Sequence, residues 1–100
     1  MENITKLTKG ISITGNIKGT TDINQIREAV SSYALKSGDS FAIDIKDSFA
    51  MPSAMIGYLM KLVEQDQIEL TLQIGDTRLS ELLDDLELTQ AFNIKTKSFA

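Results

Sequence analysis

The sequence predicts a two-layer α/β domain, with a mostly parallel mixed sheet and helices packed mainly on one face. Two features predict it. Segments with alternating apolar residues take turns with segments of helical period, in the order β-β-α-β-α-β-α-β. Strands that alternate with helices need crossover connections and therefore parallel neighbours. The strand segments are apolar on one face only, whereas a sheet covered on both faces has near-continuous apolar strands. The 100 residues hold no linker-like stretch and no internal repeat, so one domain over residues 1–100 is expected.

The elements follow in order. Ile4 to Lys9 is a weak strand segment, and Gly10 is the expected turn of a hairpin. In "GISITGNI", Ile11, Ile13 and Ile17 share one face while Ser12, Thr14 and Asn16 share the other. "TTDINQIREAVSSYALKSG" reads as a helix with a stripe of Ile23, Ile26, Val30, Tyr33 and Ala34. Thr21 or Asp22 would cap it, with Gln25 at capping-box spacing from Asp22, and Gly38 would end it. "SFAIDIK" alternates as a strand. A second helix is expected from about Ser53 to Gln65, with one stripe of Ile56, Leu59, Met60 and Val63 and another of Met55, Tyr58 and Leu62. "IELTLQIG" turns Ile68, Leu70, Leu72 and Ile74 inward and Glu69, Thr71 and Gln73 outward, and Gly75 breaks it. "DTRLSELLDDL" is a third helix, capped by Asp76, with Leu79, Leu82, Leu83 and Leu86 as its core face. "FNIKTKSF" suggests a last short strand.

Composition narrows the function. The net charge of −4 leaves no basic stripe to neutralise phosphates, so nucleic acid is not an expected partner. It also argues against docking on anionic lipid. Cysteine and histidine are both absent. That removes thiolate chemistry, sulfur-ligated metal, the usual general base near neutral pH and the commonest metal ligand. The glycines of "GNIKGT" lack the spacing of a phosphate-binding loop. Asp84 and Asp85 are adjacent on a helix and point apart, as solvated surface groups do. No apolar stretch nears the ~18 residues of a membrane span, and "MENITKLTKG" has no apolar run like that of a signal peptide. A non-enzymatic cytoplasmic protein with no cofactor is the expectation.

"AMPSAMIGYLMKLV", residues 50 to 63, holds the most informative side chain, Ser53. One reading makes it a helix cap, its hydroxyl accepting from a first-turn N–H for about 1 kcal/mol, with Pro52 keeping Met51 extended. The same place suits a phosphate, because a helix start offers unpaired N–H groups and a positive pole. A phosphate there would set a near-double negative charge beside Phe49, Met51 and Met55. The flanking methionines also suit an adaptable binding surface.

Three stretches resemble the STAS domain of the anti-sigma factor antagonists. "TGNIKGTTDINQIREAV" is similar to that family's strand, loop and first helix, and "AIDIKDSFAMPSAMIGYL" to its central strand and switch loop. "IELTLQIGDTRLSELLDDLELTQAF" is similar to its last strand and leucine-rich helix. The resemblance implies a partner-switching regulator whose partner is a serine kinase doubling as an anti-sigma factor, with Ser53 as the phosphorylated residue. The implied partner surface comprises Thr20, Thr21, Asp22, Asp47, Ser48, Phe49, Met51, Pro52, Ala54 and Met55. The chain departs from the family's usual Asp-Ser-Ser-Gly or Asp-Ser-Thr-Gly: Pro52 stands for the aspartate, Ala54 for the second hydroxyl residue and Met55 for the glycine. Those departures favour an alternative, a non-switching STAS adaptor or structural subunit, for example of a transport complex or signalling scaffold. The resemblance further leads to the expectation that "KTKSFA" leaves no room for the extra C-terminal helix many family members carry, which would expose apolar surface for a homodimer or a partner.

Overall fold

The structure, a computed structural model, describes residues 1–99. Two strands, β1 (Asn3–Leu7) and β2 (Gly10–Thr14), form an antiparallel hairpin whose turn is Thr8–Lys9. Gly10 is the first residue of β2 rather than the turn, for a steric reason. A Cβ at Gly10 would run into the backbone of Ala42 on the neighbouring strand. Helix α1 (Thr20–Ser31), β3 (Ser40–Ile45), α2 (Ser53–Glu64), β4 (Glu69–Ile74), α3 (Thr77–Asp85) and β5 (Ile94–Thr96) complete the chain. The strands lie in the order β1-β2-β3-β4-β5, with β2 to β5 all parallel.

The predicted two-layer arrangement is the observed one. Ile11 and Ile13, Phe41, Ile43 and Ile45, and Leu70, Leu72 and Ile74 form one inner face of the sheet, and all are buried. The register pairs Ile11 with Ile43, Ile43 with Leu72, and Leu72 with Ile94, so the apolar rows line up across the sheet. Ile23, Ile26 and Val30 of α1, Met55, Leu59 and Leu62 of α2, and Leu79 and Leu83 of α3 pack into the same core. The outer face carries Thr5, Ser12, Asp44, Gln73 and Lys95 in cross-strand register. Ser12 is only 6% exposed there, and its hydroxyl has no hydrogen-bond partner among the described residues.

Several element ends differ from the sequence expectation. Helix α1 stops at Ser31, not near Gly38, and its last bonds tighten to Tyr33 N→Val30 O and Ala34 N→Ser31 O. Ala34 then takes φ 49°, a left-handed exit, and is exposed rather than part of the core stripe. Tyr33 is drawn toward the hairpin, its hydroxyl 2.6 Å from the Leu7 carbonyl and 2.7 Å from that of Gly10, and its ring meets Phe41 edge-on. The amino-terminal cap of α1 is Gly19, not Thr21 or Asp22. Asp22 instead reaches back from the first turn to accept from the Lys18 N–H at 2.9 Å. On α3 only Leu79 and Leu83 are core residues, while Leu82 and Leu86 stay 39% and 51% exposed. No helix among the described residues is long and apolar enough to cross a membrane.

Candidate functional site

The carboxyl ends of β2 and β3 lead into two loops, residues 15–19 and 46–52, that are bonded to each other through side chains. Asp47 accepts from the Gly15 N–H at 2.7 Å. Ser48, fully buried, accepts from the Ile17 N–H at 3.1 Å and donates to the Ala50 carbonyl at 2.7 Å. Asn16 accepts from the Phe49 N–H at 3.1 Å. Neighbouring backbone donors that no sheet or helix would satisfy are thereby paired, as backbone groups in such positions require. The result is a fixed ledge at one end of the molecule.

Phe49 projects from that ledge with 47% of its surface in water. Arg78, in the first turn of α3, lays its guanidinium over the ring, 4.9 Å from the centroid. The guanidinium is itself held by Asp76, with Nη2 2.6 Å from Oδ2 and Nε 3.1 Å from Oδ1. Asp76 also caps α3, accepting from the Arg78 N–H at 2.8 Å, as its position in the sequence predicts. The side-chain and backbone hydrogen bonds from Arg78 hold the Asp76 carboxyl below its ordinary value of 3.8, and Asp76 raises Arg78 in turn. Asp22 is lowered in the same sense, chiefly by the Lys18 N–H.

Ser53 is the first residue of α2 and is exposed, but it is not the cap. The cap position belongs to Pro52 (φ −62°, ψ 149°), and among the described residues no side chain caps this helix. The Pro52 carbonyl accepts from Met55 N and Ile56 N, which starts the helix one residue earlier than a Ser53 cap would. The Ser53 hydroxyl is thus left free of a structural duty at the helix start.

The other residues drawn into the partner surface divide by burial. Thr20, Thr21, Asp47, Phe49 and Ala54 are exposed, and Asp22 and Pro52 are half-buried. Met51 and Met55 are core residues, Met55 with no exposed surface, and Ser48 is buried as the stitch between loops. Those three do not offer a partner the side chains that the sequence suggested. Helical phase explains Met55, which lies three residues before Tyr58 and four before Leu59 on the sheet-facing side. Asn16 and Arg78 belong to the site and were missed, because their partners are 33 and 29 positions away in the chain. Arg78 did leave one sign: a base in the first turn of a helix opposes the dipole and needs a separate reason to be there. Among the described residues, no group of three or more His, Cys, Asp or Glu is placed to hold a metal ion. Comparison with family models, curated proteins and solved structures finds no match to the chain.

Proposed function

We propose that the chain is a partner-switching regulator of the STAS anti-sigma factor antagonist kind, controlled by phosphorylation of Ser53. The observation that carries this reading is the free, exposed Ser53 hydroxyl at the first position of α2, four residues beyond the exposed Phe49. A phosphate there would meet the unpaired N–H groups and positive pole of α2, so the domain itself would tolerate it. A partner seated over Phe49 would have to bury that charge, at several kcal/mol, and would be released. In this reading the protein is cytoplasmic, is not an enzyme and takes no cofactor. Its partner is a serine kinase that doubles as an anti-sigma factor.

The test is a binding titration of wild type, Ser53→Ala and Ser53→Asp against the partner recovered from the native host, with mass spectrometry of Ser53. Loss of binding for Ser53→Asp alone, with Ser53→Ala bound like wild type, is the expected result. Equal affinity for all three would defeat the switch. One observation favours the non-switching adaptor as second reading. With Met51 and Met55 in the core, neither methionine beside Ser53 is free to bury against a partner.

A further inference from the structure

Four large apolar side chains stand exposed among the described residues, and three of them, Phe49, Leu82 and Leu86, are linked through Arg78: its guanidinium covers Phe49, and Leu82 and Leu86 follow it at steps of four. Helical phase places that row. On α2, Tyr58 and Leu62 look toward α1, for they share a depression with Arg27, Val30 and Ser31, and the Arg27 guanidinium lies 5.1 Å from the Tyr58 ring. Ile56, Met60 and Val63 lie roughly 140–200° further round from Tyr58, on the flank turned toward α3, and are only half-buried. On α3, Ser80 and Asp84 share a depression with Ile94 and Thr96, so that flank faces the β5 edge. Leu82 and Leu86 occupy the other flank, toward α2. They continue a row that begins with Arg78, the residue stacked on Phe49. By helical phase, Ile56, Met60 and Val63 of α2, half-buried at the edge of the core, and Leu82 and Leu86 of α3 thus flank the space between the two helices, an apolar furrow that starts at the Phe49–Arg78 contact.

Charge tells what fits it. Both helices follow parallel strands and so run in the same direction. The far end of the furrow has Glu64 and Asp85, the last residues of α2 and α3, and the negative poles of both helices. The net −4 of each chain opposes the approach of a second copy, whereas a basic partner is drawn in. The row from Arg78 to Leu86 spans about 12 Å, the reach of apolar anchors at i, i+4 and i+7 of a docked helix.

We propose that this furrow is the docking site for one amphipathic helix of a partner protein, apolar on one face and carrying Lys or Arg where it passes Glu64 and Asp85. The proposal goes beyond the Ser53 reading and does not depend on it.

The experiment titrates a synthetic amphipathic peptide of about 18 residues, leucine on one face and lysine on its flanks, into the full chain. Fluorescence anisotropy reads the affinity, and amide chemical shifts read the place. One control peptide has the same composition scrambled, and the other has glutamate for lysine. The lysine helix is expected to bind at least about tenfold more tightly than either control, with shifts concentrated in residues 56–63 and 78–86. Leu82→Glu, at a side chain already partly in water, is expected to keep the fold by circular dichroism and to lose about tenfold in affinity. Asp85→Lys is expected to weaken the lysine peptide and strengthen the glutamate peptide. Equal binding of the scrambled peptide, shifts outside the furrow, or a dimer in sedimentation that Leu82→Glu dissolves would each overturn the proposal. Because Ser53 is unmodified throughout, these outcomes do not bear on the switch.

Discussion

Ser53, Ser48 and Ser12 are three serines in three different situations, and each has its own expected response to alanine. Ser53 makes no cap bond, so Ser53→Ala is expected to stay within about 0.5 kcal/mol of wild type in a urea titration. A larger loss would mean that its hydroxyl does bond at the helix start. Ser48→Ala removes the acceptor for the buried Ile17 N–H, and an unsatisfied buried donor costs about 1–3 kcal/mol. The same titration should show that loss, together with faster amide exchange at Ile17. Ser12 is the reverse case, a buried hydroxyl already without a partner among the described residues. Ser12→Ala relieves that desolvation and is expected to stabilise the fold by up to about 1 kcal/mol.

Between elements, the hairpin and α1 are joined by Tyr33, whose single phenolic proton serves the Leu7 and Gly10 carbonyls. Tyr33→Phe is expected to cost about 1 kcal/mol and to raise amide exchange in β1 above that in β3. Uniform exchange across the sheet would show that the tie is idle. The same residue marks where sequence reading stopped short. Period alone carries α1 through Tyr33 and Ala34, but a tertiary bond pulls Tyr33 out of the helix and Ala34 exits left-handed. Strands β2, β3 and β4 were legible because one-sided burial forces strict alternation, and the Asp76 cap because its carboxylate acts within two residues. Pro52 displaced the serine that local preference favours as a cap, since a fixed φ of −62° already suits the helix entry. The loop stitching by Asn16, Asp47 and Ser48 was invisible, because nothing local distinguishes a polar loop residue that bonds across the fold from one that meets water. The leucines of α3 misled for a simpler reason: four apolar positions cover more of a helix than one sheet can bury.

For the whole molecule, acidity is the direct probe of charge. Asp22 and Asp76 both titrate below 3.8 in the folded chain. A carboxyl lowered by folding contributes stability that is fully present above its unfolded value and lost as pH falls toward its folded one. Stability is therefore expected to fall as the pH drops below about 4, and the Asp22→Asn, Asp76→Asn double variant should show a flatter acid limb. An unchanged acid limb would assign the acid sensitivity to other carboxylates. The strand order has a different kind of consequence. Position in the sheet repeats position in the chain, so every new strand docks on the strand made just before it. During synthesis, a chain of this design never waits for a distant partner: the edge that receives β3 exists once β2 is out, and β4 and β5 follow in turn. Assembly is serial, and the last piece laid down, β5, closes a sheet whose other four strands are already paired.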